Sequence, residues 1–179
     1  LAWNMTHHPV YLWTLPMFHC CGWTFPWTIA AMGGTNVCLR RIAAKDIYGA
    51  IDRDKVTHFC GAPIVLNFIV NASADDRKPL PHTVEVMTAG AAPPAAILNG
   101  MKAAGFHITH GYGLTETYGP AVFNAPQDEW DALDDNALAE KMIRQGVRFH
   151  VLEDLEVMDP ETMKPVPRDG ETIGEIVFQ

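Results

Sequence analysis

The sequence predicts an α/β fold: a doubly wound, mainly parallel sheet flanked by helices, followed by the start of a small antiparallel β subdomain. Three observations predict it. Short apolar runs alternate with segments of helical length from Tyr11 to about Thr109, Pro and Gly punctuate the joins between them, and after Pro120 the text turns acidic and then strand-like. Strands separated by helices in this order need right-handed crossovers, which build a parallel sheet covered on both faces.

The candidate strands are Tyr11 to Leu15, Asn36 to Leu39, His58 to Cys60, Val84 to Thr88 and His107 to His110. Each is brief and mostly apolar, as strands buried on both faces are. Between them, Gly22 to Met32, Ala44 to Asp54, Pro63 to Asn71 and Pro94 to Ala104 have helical length and spacing. The third carries Ile64, Leu66, Phe68, Ile69 and Val70 on an almost wholly apolar surface, so it is expected to be buried. Pro63 and Pro94 suit a first helical turn, where a missing N–H costs nothing, and Gly105 suits a left-handed C-terminal cap. Asp134 or Asp135 can cap a further helix running to about Gln145, with Gly146 ending it and Lys141 and Arg144 near its negative end. From Val147 onward, VRFHVL, LEVMD and GEIVF lie between Pro160, Pro165, Pro167 and Gly170 and read as antiparallel strands. The expected organisation is a central α/β subdomain over 1–146 and a truncated β subdomain over 147–179. Both ends read as cut, because the chain opens on Leu1 rather than Met and closes on a strand with nowhere to turn.

Composition narrows the function classes. A chain of 179 residues holds one domain with a real core, and 48% apolar against 19% charged residues is a globular balance. The net charge of −8 is uneven: residues 1–120 carry eight Lys/Arg against seven Asp/Glu, and residues 121–179 carry five against fourteen. Such a chain has no basic footprint for nucleic acid, and its acidic third is repelled by anionic lipid. No apolar run reaches the ~18 residues that span a bilayer, and no secretory signal opens the chain. Cys20, Cys21, Cys38 and Cys60 show no secreted disulfide framework and read as reduced, buried thiols. A cytoplasmic location is the expectation. A monomer and a homodimer both fit.

Three stretches carry chemistry, each at the C-terminal end of a candidate strand, where ligands bind in open α/β sheets. In AGAAPP, Ala89 to Pro94, small side chains let a flat ring lie against the backbone, and a helix opens at Pro94 with its positive dipole end. Read alone, the stretch is better explained as a tight strand–helix turn. In HGYGLTET, His110 to Thr117, Gly111 and Gly113 flank Tyr112 and allow a sharp turn that displays the ring. Thr115 can donate to a phosphate oxygen and Glu116 can hold Mg²⁺. Singly, either residue is as well explained as a solvated or capping group. In TLPMFHCCGW, Thr14 to Trp23, Pro16 ends the strand and His19 lies among Phe18, Trp23 and Phe25, one polar group on an apolar wall. A packed core histidine is the alternative. A zinc site at His19, Cys20 and Cys21 lacks the usual ligand spacing.

Together LPMFH, the GAAPP turn and YGLTET, in this order and at these intervals, resemble three core motifs of the adenylate-forming superfamily of acyl-CoA synthetases, luciferases and peptide-synthetase adenylation domains. The terminal DPETMKPVPRDGETIGEIVF is similar to the segment opening that family's next motif. The likeness covers nearly the whole chain, and QGVRFHVLEDLEVMDPETMKPVP most resembles short- and medium-chain fatty acyl-CoA ligases, including those acting on methylthiopropionate.

The resemblance implies ATP/AMP, Mg²⁺ and coenzyme A as cofactors and a small carboxylic acid as substrate. It implies that Gly90, Ala91, Ala92 and Pro93 line the adenine with Tyr112 on its other face. Thr115 then meets the α-phosphate and Glu116 the magnesium, in the run that Gly113 and Leu114 lead into, while His110 and Gly111 lie beside the acyl-adenylate. His19 gates the passage between acyl pocket and thiol tunnel, Arg41 meets a coenzyme A phosphate, and Cys21, Gly61 and Gly113 leave room for the acyl chain. It also places a lysine-bearing phosphate loop before Leu1, and a ribose-binding aspartate and a mobile domain with a catalytic lysine after Gln179. The fragment alone is therefore expected to be inactive. Two other readings stay open: an adenylating domain that serves a carrier protein, and a non-catalytic nucleotide-binding module.

Overall fold

The structure, a computed structural model, describes residue 3 and residues 5–179, with the side chains of residues 20–23 left outside the description. Its strands are β1 Val10–Trp13, β2 Thr35–Cys38, β3 His58–Cys60, β4 Val84–Thr88, β5 Phe106–Leu114, β6 Gly119–Asn124 and β7 Val147–Arg148, in one seven-stranded sheet of order β2-β1-β3-β4-β5-β6-β7. The first five are parallel, and β6 runs antiparallel to β5. Successive side chains of a strand face opposite ways, which sorts the core in two. Leu12, Phe59, Val86 and Ile108 point to one face, where α2 (Ala44–Asp54), α3 (Pro63–Val70) and α4 (Ala95–Ala103) bury Ile47, Ile51, Leu66, Ile69, Leu98 and Met101. Tyr11, Trp13, Cys60 and Met87 point to the other, where α1 (Cys20–Ala31) buries Phe25 and Ile29. Helices on both faces make the sheet doubly wound.

The order fixes where a ligand can sit. The chain leaves β1 through α1 to β2 on one side, then crosses back through α2 to β3 on β1's other side. Between β1 and β3 the winding reverses, and the loops beyond their C-terminal ends diverge to leave a crevice.

Several expectations change. The HGYGL run does not turn: it extends β5 to Leu114, past the end of β4, whose last residue Thr88 pairs with His110. Gly113 is needed for close approach, since a Cβ there would lie 2.0 Å from the Gly119 carbonyl oxygen, beside a bulge between Tyr112 and Gly113. The antiparallel β6 was not expected. Helix α3 buries Val65, Leu66 and Ile69 but leaves Ile64 and Phe68 exposed, so its apolar text covers a half-buried helix. Pro94 is the residue before α4, with φ −58° and ψ 144°, rather than in its first turn. Helix α5 (Asp135–Met142) is capped by Asp134, whose carboxylate accepts from the N–H groups of Asn136 and Ala137 at 3.0 and 2.9 Å. It ends earlier than Gln145. Gly146, at φ +95°, then packs its backbone on Phe123, where a Cβ would meet the carbonyl oxygen at 2.0 Å. VRFHVL contributes only the two residues of β7 to the sheet.

By internal contacts the chain divides into two compact units, Leu1–Val147 and Arg148–Gln179. The second is a hairpin of β8 (Leu155–Met158) and β9 (Glu175–Phe178), antiparallel with Leu155 opposite Phe178. Its Asp169 accepts from the backbone N–H groups of Glu171 and Thr172 and from the Thr172 hydroxyl at 2.6 Å. That hydroxyl, with the two amides, holds the carboxyl down at about 2.

Candidate functional site

The crevice at the winding reversal is occupied by a cleft of about 190 Å³. It is walled by Leu15, Pro16 and His19 after β1, Gly61 and Ala62 after β3, Met87, Ala89 and Gly90 around the end of β4, and Gly113, Gly119 and Pro120 from the β5–β6 hairpin. His19, Gly90 and Gly113, from three separate motifs, thus border one space together with Gly61, which the family resemblance alone had singled out. Among the described residues the lining includes no Lys or Arg. Such a cleft accepts apolar matter, and anionic charge there must be neutralised from elsewhere.

Each wall has a local cause. Pro16 follows β1, and the His19 N–H donates to its carbonyl at 3.0 Å, folding the chain into a turn that leads into α1. His19 is an exposed residue at the rim, not a packed core histidine. Phe18 is 78% exposed and Phe25 is buried against Tyr11 at 5.1 Å between ring centroids. Neither forms the apolar wall expected around His19. Gly61 donates its N–H to the Met87 carbonyl at 2.8 Å, and a Cβ on it would lie 3.0 Å from Leu66 Cδ1. Gly90 takes φ +88°, which glycine adopts without strain, and opens the turn into α4. In that turn Ala91 and Ala92 are exposed and Pro93 is buried.

The hairpin adds the polar groups. Tyr112 is half-buried, and Leu114, Thr115 and Glu116 are exposed at the hairpin's end, where Thr115–Thr117 form a single 3₁₀ turn. His110 and Gly111 are buried in β5. The His110 Nδ1–H donates to the Arg144 carbonyl oxygen at 3.0 Å, and burial pushes the imidazole below its usual pKa. Thr88 pairs with His110, so the Ala89–Pro94 turn and the run from Gly111 leave the sheet edge on adjoining strands.

Arg41 does not join this cleft. It lines a separate groove of about 560 Å³ with Arg40, Lys45, Asp46 and Arg53, and its Nε pairs with Asp46 at 3.1 Å. The expectation for Cys21 falls on a side chain outside the described residues, as does the reading of Cys20; Cys60 is buried as expected, whereas Cys38 is exposed. Leu15, Ala62, Met87, Gly119 and Pro120 border the cleft without having been singled out. The turn signal of Gly119-Pro120 was the only hint for the last two. No described helix is long and apolar enough to cross a membrane.

The chain matches the AMP-binding enzyme family over residues 1–179. It is 56% identical, over all of its length and 32% of the relative's, to an acetate/butyrate–CoA ligase of Arabidopsis thaliana named as peroxisomal. It is 48% identical, over all of its length and 31% of the relative's, to a butyrate–CoA ligase of the same plant, also named as peroxisomal. The chain thus spans about a third of the length of these curated relatives. In structure it is similar to the o-succinylbenzoate coenzyme A synthetase of Bacillus subtilis in complex with ATP and magnesium ion, with TM-score 0.77 and 20% identity over 97% of this chain and 33% of that one. The peroxisomal relatives overturn the cytoplasmic expectation. Reduced thiols and a missing secretory signal do not separate cytosol from peroxisome, because peroxisomal addresses are short receptor-read tags that leave no mark on composition.

Proposed function

Because the chain belongs to the AMP-binding enzyme family, we propose that it is a segment of an ATP-dependent acyl-CoA ligase that adenylates a short- or medium-chain carboxylic acid and passes the acyl group to coenzyme A. The observation that carries the proposal is the apolar cleft on which His19, Gly61, Gly90 and Gly113 converge. Relatives named for acetate and butyrate support the short-chain reading and a peroxisomal setting.

In this reaction a carboxylate oxygen attacks the α-phosphorus of ATP and pyrophosphate leaves; the coenzyme A sulfur then attacks the acyl carbon and AMP leaves. The protein's work is to position the reactants and meet developing charge. Gly90, Ala91, Ala92 and Pro93 hold the adenine opposite Tyr112, Thr115 donates to the α-phosphate, and His110 and Gly111 border the acyl-adenylate. His19 gates the thiol's approach, while Gly61, Gly113 and Cys21 leave room for the acyl chain. Mg²⁺ binds through one or two carboxylates together with substrate phosphates and water. Glu116, exposed on its turn, fits that donor set, and the described residues include no ready-made cluster of three His, Cys, Asp or Glu. When bound, the ion neutralises phosphate charge. The groove with Arg40, Arg41, Lys45 and Arg53 is the place for the coenzyme A phosphates, four cations gathered on a chain of net charge −8.

The test is carboxylate-dependent pyrophosphate release by a full-length protein carrying this segment, across straight-chain acids of two to eight carbons and methylthiopropionate. Release with none of them overturns the reading. Arg41→Glu with Lys45→Glu should raise KM for coenzyme A without slowing pyrophosphate release. The 179 residues alone, whose cleft lacks a cation among the described residues, should give no turnover.

A further inference from the structure

Two residues of the HGYGLTET octet, Leu114 and Thr117, have no task in the reaction above. Thr117 is half-buried at the end of the turn that carries Thr115 and Glu116. Its hydroxyl accepts from the Leu114 N–H at 2.9 Å and faces two acceptors, the Gly119 carbonyl at 2.8 Å and the Leu114 carbonyl at 3.0 Å. A hydroxyl has one proton and two lone pairs, so Thr117 takes the last amide of β5 and gives its proton at the shorter distance to the first carbonyl of β6. It thereby ties the two strands together beside Gly113, where a Cβ would collide with the Gly119 carbonyl oxygen. The chain returns through Tyr118 and Gly119 at φ +59° and +126°. For Tyr118 that conformation is costly and persists only when its neighbours are held.

We propose that Thr117 is a positioning residue for adenylation: its hydroxyl sets the turn that aims Thr115 and Glu116. The proposal rests on the reading of those two residues as the phosphate and magnesium contacts. Both are exposed, so the direction of their side chains is set by the backbone of the turn, and the turn is pinned by Thr117.

The test compares Thr117→Val, which keeps the shape and loses the hydroxyl, with Thr117→Ser, which keeps the hydroxyl, in the full-length protein carrying this segment. Carboxylate-dependent ATP–pyrophosphate exchange should fall about ten- to a hundredfold in Thr117→Val, the scale of a small misplacement of reacting groups. The change should appear in kcat and in KM for Mg·ATP, with KM for the acid unchanged, and hydrogen exchange at the Leu114 amide should accelerate. Thr117→Ser should recover most of the rate. Should Thr117→Val not fold, Thr117→Ala carries the same prediction. Wild-type exchange rates in the aliphatic variant, or equal loss in the serine variant, overturn the positioning role and leave the ligase reading standing. A wild-type protein inactive with every acid overturns both.

Discussion

Asn124 sits directly across the β5–β6 ladder from His110, and the two buried side chains donate to one acceptor, the Arg144 carbonyl oxygen, at 2.9 and 3.0 Å. Asn124 also reaches the Lys141 carbonyl at 2.6 Å. The last carbonyls of a helix have no partner within it. Here the strand pair beside the candidate site supplies partners for the end of α5. Asn124→Leu removes two of these donations and should destabilise the chain by about 1–3 kcal/mol, the cost of leaving buried polar groups unpaired, read as a lower urea midpoint.

Histidines shape the pH dependence from two sides. Burial lowers the pKa of His58 and His110, so the unfolded chain takes up their protons first as pH falls. Stability is then lost from the ordinary histidine value of about 6.5 downward. His107 has the opposite sign: the Glu85 carboxylate, 2.6 Å away, raises its pKa. Its contribution is complete below the ordinary value and is lost as pH rises through the raised one. The melting temperature should therefore peak near the ordinary value. His107→Gln should flatten the alkaline side alone, by a small amount, since the pair is partly exposed and screened. An unchanged alkaline limb would exclude the pair as its source.

The two glycines on either side of Tyr112 should respond differently. Gly113→Ala forces a Cβ to within 2.0 Å of the Gly119 oxygen, whereas at Gly111 the nearest atom, the Val122 oxygen, would be 3.4 Å away. The Gly113 variant must part the hairpin and should lose about 3 kcal/mol or more, together with adenylation. Gly111→Ala should keep the fold. Thermal unfolding of the two variants beside wild type decides it.

Gly61 offers a test of the cleft's use. The atoms nearest to a Cβ there would be Leu66 Cδ1, at 3.0 Å, and the Val65 side chain, at 3.4 Å. Because Gly61 lines the cleft, Gly61→Ala should narrow it, with thermal unfolding of the variant confirming that the Leu66 and Val65 side chains give way. In the full-length protein the ratio of kcat/KM for acetate over butyrate should then rise about tenfold or more, the usual value of a methylene in an apolar pocket. A constant ratio would place the acyl chain elsewhere.

Much of the frame was legible because local and tertiary preferences agree in it. Helix α2 runs over Ala44–Asp54 and β4 over Val84–Thr88, as apolar spacing indicates. The hairpin was not legible. Glycines beside Tyr112 read as a turn because glycine usually marks one, yet here they admit a neighbouring backbone, a fact that exists only once β6 is paired. The exposed Ile64 and Phe68 of α3 were hidden by composition, since an apolar helix does not declare which side the sheet covers. In the candidate site, the small or polar members of the motifs stood out, while Leu15, Ala62 and Met87 look like any core residue until the cleft is seen. Thr117 went unassigned for the same reason, because its role is a pair of backbone contacts.

The unequal lengths of β4 and β5 have a mechanical consequence. Beyond the Thr88–His110 row, among the described residues, β5 stays paired with β6 but no longer with β4, so the tip bearing Thr115 and Glu116 overhangs the parallel strands like a cantilever. That overhang is rooted where His110 and Asn124 both hold the Arg144 carbonyl just past α5, so a substitution at the root bears on the direction in which the far end presents Thr115 and Glu116.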